Sequence, residues 1–265
     1  MKRSHERDAV ILSTVKAEEF ASIEALALAC ETSTQTIRRD LARLSEDGKL
    51  LRYHGGARRL EADRVPSYAT RSASHVREKV AAAAQILDVV PDGSSLFLAG
   101  GSTLECVAQA LLRRSQLTIV TNNLHAAMTF HDKEGFRVHL VGGWLRTASG
   151  SLVGAATAES ISMFSLDFSI VSTRGITADG WLLEYDQDLV QPVENMMENA
   201  RTAVLVADSS KFGSTGIVRV GHLKDIDHFL TNERPDPEFA ALLESNRVVL
   251  HVPNARAGHK VVDQK

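Results

Sequence analysis

The stretch Thr36-Ile37-Arg38-Arg39-Asp40-Leu41-Ala42-Arg43-Leu44, followed by Gly48 and by Leu50-Leu51-Arg52-Tyr53-His54-Gly55-Gly56-Ala57-Arg58-Arg59-Leu60, decides how the front of this chain folds. Ile37, Leu41 and Leu44 recur at i, i+4 and i+7, a spacing that lines one face of an α-helix with apolar groups. Gln35, Arg39 and Ala42 then point away from that face, and Thr36, Arg38 and Arg43 lie on its flanks. Thr32 or Ser33 can cap the helix start, and Gly48 is placed to end it. Apolar runs on both sides of Gly55-Gly56 read as a two-residue hairpin.

Outward from this stretch, Glu6 to Val15 reads as a helix. Ser22 caps another over Ile23 to Ala29, with Ile23, Leu26 and Ala27 on one side. Two short helices, a tight turn and a hairpin compose a winged helix-turn-helix, whose second helix enters the major groove of DNA. Gln35 and Arg39 sit near the start of that helix, where base edges are reached. Gln pairs bidentately with adenine and Arg with guanine, whereas Thr36, Arg38 and Arg43 suit phosphates. Thr34 at the helix start and Arg58 in the wing complete the DNA-facing set. His54 serves either a phosphate contact or the packing of its turn.

Charge supports this local reading. The whole chain of 265 residues carries 30 Lys plus Arg and 33 Asp plus Glu, a net charge of -3 that excludes binding nucleic acid by bulk charge. Between Thr36 and Arg59, however, stand seven basic and three acidic residues. Residues 1 to 60 are net +2 and the remainder net -5, so an unremarkable total averages two different surfaces. A small solvated helical domain would carry such arginines for solubility alone; the wing beside them favours DNA. The two cysteines, Cys30 and Cys106, lie far apart and the ten histidines lack ligand spacing, so neither a disulfide nor a metal site is expected, nor any cofactor. The N-terminus shows no signal peptide and no apolar run approaches the ~20 residues of a membrane span. A soluble cytoplasmic protein with no membrane partner is the expectation.

Residues 61 to 75 lose periodicity and read as a linker between a head of residues 1 to 60 and a larger domain of residues 76 to 253; residues 254 to 265 form a polar tail. In the larger domain helices and strands alternate: helices over Val76 to Val90 and Thr103 to Arg113, strands over Ser95 to Ala99 and Leu117 to Val120. Further strands follow at Val138 to Val141, Phe168 to Ser172, Thr202 to Ala207, Asp227 to Thr231 and Val248 to Val252. The fold class is α/β, a doubly wound and largely parallel sheet behind the winged head. Ligands of such sheets bind at the carboxyl ends of the strands. Four polar turns stand there. Gly100-Gly101-Ser102-Thr103 opens a helix and suits a phosphate, although such a turn also serves as a plain connection. Thr121-Asn122-Asn123 offers hydroxyl and amide groups, Gly142-Gly143 permits close approach, and Asp208-Ser209-Ser210-Lys211 brings a cation.

The ordered run Thr36-Ile37-Arg38-Arg39-Asp40-Leu41, Leu44, Gly48 and Arg52-Tyr53-His54-Gly55-Gly56-Ala57 resembles the signature of DeoR-family bacterial regulators of the glycerol-3-phosphate-repressor type. Gly101-Ser102-Thr103, Thr121-Asn122, Val141-Gly142-Gly143, Gly154, Gly175-Ile176, Asp179-Gly180 and Asp208-Ser209-Ser210-Lys211-Phe212-Gly213 stand in that family's order too. The resemblance covers about residues 5 to 232. It implies a sensor domain similar in fold to ribose-5-phosphate isomerase and CoA transferases. It further implies a phosphorylated effector, with Gly101, Ser102 and Thr103 near the phosphate, Lys211 near its anionic groups and Asp179 among the ligand residues. The implied function is a repressor of carbohydrate-metabolism genes that leaves operator DNA on binding a phosphorylated sugar or related metabolite. A homodimer or homotetramer is expected, because one head covers too little DNA.

The chain also departs from the family's pattern. Ala99 stands where an acid is common, Leu104 where a second hydroxyl is common, and Ser172-Thr173-Arg174 replaces a Gly-rich stretch. Arg174 is thereby a candidate for an extra carboxylate or phosphate of the effector. Pro192 starts or kinks a helix. Two rival functions use the same residues. A sugar-phosphate isomerase with an appended DNA-binding domain would need a carboxylate base and a cation, for which Asp179, Glu184 and Lys211 are conceivable. A sensor acting through a protein partner would need no DNA contact.

Overall fold

The computed structural model of the protein describes residues 2–18, 20–46, 50–53, 55–59, 68–147, 149–214 and 216–253. It divides into two compact units, Met1–Pro66 and Ser67–Lys265.

In the first unit the order is α1 (Lys2–Glu18), β1 (Phe20–Ser22), α2 (Ile23–Ala29), α3 (Thr34–Glu46), β2 (Leu50–Tyr53) and β3 (Gly56–Arg59). Ser22 caps α2 as its position predicts, its Oγ accepting the Ala25 N–H at 3.0 Å. Of the two candidate caps for α3 it is Ser33 that acts, accepting the Thr36 N–H at 3.2 Å. Ile37, Leu41 and Leu44 are fully buried beside Ile11, Val15, Ile23, Leu26, Leu50 and Ala57. The apolar stripe thus decides which side of α3 faces inward.

Three local features differ from the sequence reading. Tyr53 pairs with Gly56, so Gly56 belongs to the strand and not to a turn at 55 and 56. The wing has a third strand, β1, which pairs with β3 in the order β1-β3-β2. Three residues are too few for an alternating pattern to register. The first helix reaches from Lys2 to Glu18 rather than from Glu6 to Val15. Its polar anchor is an ion cluster: Arg7 Nε meets Asp40 Oδ2 at 2.6 Å, and Arg43 Nη2 meets Asp8 Oδ1 at 2.5 Å and Asp40 Oδ1 at 3.6 Å. His54 and Gly48 lie outside the described residues.

The second unit opens with α4 (Tyr68–Ala73), then α5 (Val76–Ala84), β4 (Ser95–Leu98), α6 (Ser102–Leu111), β5 (Thr118–Thr121), α7 (Leu124–Phe130) and β6 (Arg137–Leu140). A hairpin of β7 (Trp144–Arg146) and β8 (Ser151–Val153) leads to α8 (Ala155–Ser162) and β9 (Leu166–Val171). Next come β10 (Gly175–Ile176), β11 (Trp181–Glu184), α9 (Val190–Glu198), β12 (Ala200–Val206), β13 (Val218–His222), β14 (His228–Leu230), α10 (Pro237–Ser245) and β15 (Val249–His251). Seven strands form one parallel sheet in the order β15-β14-β12-β9-β4-β5-β6. The chain winds one way through β4, β5 and β6 and the other way through β9, β12, β14 and β15. The winding reverses between β4 and β9, and there a doubly wound sheet opens its crevice.

The predicted strands match to within two residues at each end; the differences lie between them. Residues 68–75, read as linker, instead begin the second unit: α4 packs on α6 and α5 follows directly. The helix predicted over Val76 to Val90 stops at Ala84 and gives way to a 3-10 turn over Gln85–Asp88. Pro91 bars continuation. Pro192 lies in the first turn of α9, where the ring displaces no helical hydrogen bond. A three-stranded antiparallel sheet, β10-β11-β13, has no counterpart in the sequence reading.

Candidate functional site

On α3 the burial pattern separates two faces. Gln35, Arg38 and Arg39 are exposed, Thr34, Thr36 and Ala42 are half-buried, and Ile37, Asp40, Leu41 and Leu44 are buried. Gln35, Arg38, Arg39 and Ala42 follow one another at helical spacing, so a single outward stripe holds an amide and two guanidinium groups. Thr36 Oγ1 lies 2.9 Å from Ser33 Oγ and belongs to the cap. Arg43 is committed to Asp8 and Asp40, which raise its already high pKa and stitch α3 to α1. Arg58 sits in β3 opposite Leu51 of β2 and Phe20 of β1.

In the second unit the crevice between β4 and β9 is built around the start of α6. Gly101, at φ +135°, holds a conformation that side chains resist, and turns the chain from strand into helix. No side chain caps this helix. The Leu104 and Glu105 amides bond the Gly101 carbonyl, while those of Ser102 and Thr103 open the helix ahead of any helical acceptor. The positive helix end and these amides form an anion cradle. Ser102 Oγ donates to the Arg71 carbonyl at 3.5 Å.

Cations from four segments gather at this crevice. Lys79 of α5 is buried, its Nζ donating to the Arg71 carbonyl and, at 2.7 Å, to the Ser74 carbonyl. Burial depresses its pKa, and Asp208 opposes the drop. Lys211 is likewise depressed by burial and stands 4.0 Å from Asp208, a fully buried acid beyond β12. Arg71 of α4 is lowered by burial and acts electrostatically on Glu184, with Arg174 and Arg146 as like-charged neighbours. Arg174 lies over the Tyr185 ring at 5.3 Å. Glu184, at the end of β11, is the acid among them: burial pushes its pKa up to about 7 although Arg174, Arg71 and Lys211 all pull it down. Among the described residues, Asn122 Oδ1, Asn123 Nδ2, Glu105 Oε1 and Asp208 Oδ2 are buried without a hydrogen-bond partner.

Comparison with known proteins places both units. A model of the DeoR-like helix-turn-helix domain matches residues 7–63, and one of the DeoR C-terminal sensor domain matches residues 74–233. The chain belongs to the DeoR family. It is 39% identical over 252 residues to the glycerol-3-phosphate regulon repressor of Escherichia coli (strain K12), covering 95% of this chain and 100% of that one. It is 33% identical over 247 residues to the HTH-type transcriptional repressor CsqR of the same organism, covering 93% and 95%. Among solved structures, ribose 5-phosphate isomerase A of Methanocaldococcus jannaschii is 16% identical with a TM-score of 0.40, covering 52% of this chain and 55% of that one.

Within this DeoR-family sensor the predicted ligand residues divide into two groups. Gly101, Ser102, Thr103, Arg174 and Lys211 lie at the carboxyl ends of the central strands. Asn122 sits there too, fully enclosed, its Nδ2 donating to the Leu152 carbonyl at 3.0 Å. The rest have tasks inside the fold. Thr121 Oγ1 donates to the Leu98 carbonyl at 2.6 Å and so ties β5 to β4. Asn123 caps α7, accepting the His125 and Ala126 amides. Gly142 accepts from Thr157 Oγ1 at 2.7 Å, so that Gly142 and Gly143 seat α8. Asp179 is exposed in the β10–β11 turn, accepting from Thr177 Oγ1 at 2.5 Å, with Arg219 and His222 as neighbours. It stands apart from the cations of the crevice. Trp144 is 83% exposed, and Trp181 packs under Arg219 and edge-on to His222. Sequence reasoning missed Arg71, Lys79 and Arg146. Arg71 was hidden in an unpatterned segment and Lys79 in an alanine-rich helix, where a lysine ordinarily reads as solvated.

Proposed function

We propose that this protein is a transcriptional repressor whose α3 reads operator DNA and whose second domain releases that DNA on binding a phosphorylated carbohydrate or related metabolite. One observation carries the reading: the outward stripe of Gln35, Arg38 and Arg39 on a helix whose other face is locked into the core. Arg39 and Gln35 address base edges, and Arg38 a phosphate. Thr34, His54 and Arg58 add backbone contacts around them, whereas Arg43 and Thr36 are taken up by Asp8 with Asp40 and by the Ser33 cap. The chain acts as a homodimer or homotetramer on paired half-sites, in the cytoplasm. The relatives' names as repressors support this reading, and no described helix is long and apolar enough to cross a membrane.

The anion cradle supplies the signal. A phosphate on Ser102 and Lys79 competes with the Arg71 and Ser74 carbonyls for the same donors. Ligand binding therefore loosens α4, the first element after the segment that leaves the wing. Such a shift requires the ligand to bind the two arrangements with different affinity. The domain senses rather than catalyses: Glu184 at the crevice is surrounded by Arg174, Arg71 and Lys211, cations that suit a bound anion.

Two experiments test this. The full-length protein is titrated against its own upstream DNA; a retarded complex abolished by competitor carrying the same sequence supports the reading, and purely nonspecific binding refutes it. Incubation with pentose and hexose phosphates is expected to give no turnover; isomerisation at ordinary enzyme rates would overturn the sensing role.

A further inference from the structure

This inference rests on the sensor reading above and concerns Arg174 and Lys211 of the same crevice. The cradle at the start of α6 accommodates one phosphate with the Ser102 and Thr103 amides, the Ser102 hydroxyl and Lys79. Two further cations, Arg174 and Lys211, stand on backbone segments locked side by side. Arg174 precedes the Gly175–Ile176 strand, and Lys211 precedes Phe212. Ile176 and Phe212 bridge in parallel, and the Gly213 amide donates to the Ile176 carbonyl at 2.9 Å. The fit is close enough that a Cβ on Gly175 would run into the Ser214 carbonyl. The Ile217 amide donates to the Glu184 carbonyl at 2.9 Å, bringing the end of β11 to the same place.

Like charges adjoin one another there. Arg174 and Lys211 both act on Glu184, and both Arg174 and Lys79 repel Lys211. Against them stand Glu184 and Asp208. Asp208 Oδ2 lies 4.0 Å from Lys211 Nζ and has no hydrogen-bond partner, so this pair is not closed. Arg174 is held in place by its seat over Tyr185, and its backbone amide is fixed to the Leu183 carbonyl at 2.9 Å. A planar, preorganised guanidinium beside an ammonium recognises a carboxylate or phosphate oxygen pair.

We propose that the ligand carries a second anionic group, a carboxylate or a second phosphate, at the end opposite its cradle-bound phosphate, and that Arg174 and Lys211 hold it. The ligand class is thus a phosphorylated sugar acid or a bisphosphorylated polyol.

Binding to the full-length protein is measured by calorimetry with three matched pairs that differ by one anionic group. These are glycerol 3-phosphate with 3-phosphoglycerate, glucose 6-phosphate with 6-phosphogluconate, and fructose 6-phosphate with fructose 1,6-bisphosphate. At least one doubly anionic compound is expected to bind about tenfold or more tighter than its partner, the order contributed by one charge-assisted contact. The first two pairs report a carboxylate and the third a phosphate. Arg174→Gln is expected to collapse the ratio to within about threefold, and Arg174→Lys to retain part of it; an unchanged melting temperature of each ligand-free variant establishes folding. Equal or tighter binding of all three singly anionic partners would overturn the second anion site while leaving phosphate sensing intact. If none of the six compounds binds, the sensor reading fails and this inference with it.

Discussion

Lys79 Nζ donates to the Ser74 carbonyl at 2.7 Å, so an ammonium buried in α5 holds the chain just beyond α4. The same ammonium also bonds the Arg71 carbonyl, which Ser102 Oγ approaches from the anion cradle. A ligand phosphate arriving at Ser102 therefore meets donors already in use by the segment that leads back to the winged head.

Replacing this ammonium separates ligand affinity from its consequence. Lys79→Met keeps the aliphatic stem and removes the donor. The expected result is a loss of about 10- to 100-fold in affinity for phosphorylated ligands, the range for one charged hydrogen-bonding group. Hydrogen exchange of residues 68–74 should be faster than in the wild type before ligand is added, and should change little after it. Calorimetry and exchange mass spectrometry read the two quantities independently.

The α3 stripe assigns different tasks to adjacent arginines. Arg39→Ala is expected to cost about 1–3 kcal/mol of specific DNA affinity and to relax preference at one base pair. Arg38→Ala should weaken binding to all sequences alike and reduce the slope of log K against log salt by about one. Fluorescence anisotropy at several salt concentrations distinguishes them. Identical losses for both variants on specific and random DNA would remove the base-reading role of Arg39.

Glu184 links the sensor to pH. Its carboxyl titrates at about 7 in the folded protein and at 4.5 in the reference state. The folded state thus holds a proton between those values that the unfolded chain has released. This contribution to stability is complete below pH 4.5 and is lost as pH rises through 7. Glu184→Gln is expected to raise the melting temperature at pH 8 by about 2–4 °C, corresponding to about 1 kcal/mol after allowance for partial exposure. The groups facing Glu184 are Arg71 of α4, Arg174 after β9 and Lys211 of the 3-10 turn beyond β12. An anionic ligand disfavours the ionised carboxylate, so its affinity should strengthen from pH 8 to pH 6. The glutamine variant should flatten that profile, as read by calorimetry in two buffers.

The apolar face of α3 carries the stability of the head. Leu41 is fully buried among Ile11, Ile37 and Leu44. Leu41→Ala is expected to destabilise the first unit by about 2–5 kcal/mol, read as an earlier thermal transition of that unit.

The parts of this molecule that were legible in the sequence are those with a period. Ile37, Leu41 and Leu44 give α3 and, by exclusion, its exposed side; apolar runs of four to six residues give the parallel strands. Gly101-Ser102-Thr103 is legible as a strand-to-helix turn because glycines and hydroxyls follow an apolar run. What escaped has no period. The α4 helix buries none of its residues and is anchored by polar contacts: Tyr68 donates to Glu105 and stacks on His125 at 4.5 Å. A six-residue helix held this way looks like linker. The β10-β11-β13 sheet consists of strands of two, four and five residues, too short to alternate visibly, yet it delivers Arg174 and Glu184. The acid Asp179 was singled out with them, but its carboxylate closes the β10–β11 turn through Thr177. A short acidic turn motif does not reveal whether its side chain faces a ligand or its own loop.

The most direct measurement is one anisotropy titration of the full-length protein on its own upstream DNA, with and without the phosphorylated compound that most raises its melting temperature. Saturating compound should weaken specific binding by about tenfold or more, equivalent to about 1.4 kcal/mol of coupling. The Lys79→Met protein, in which the bonds to the Arg71 and Ser74 carbonyls are already lost, should bind the same DNA more weakly and with no further response to the compound. Specific binding that is equally tight with and without the compound in the wild type would contradict release of operator DNA through the crevice beside α4.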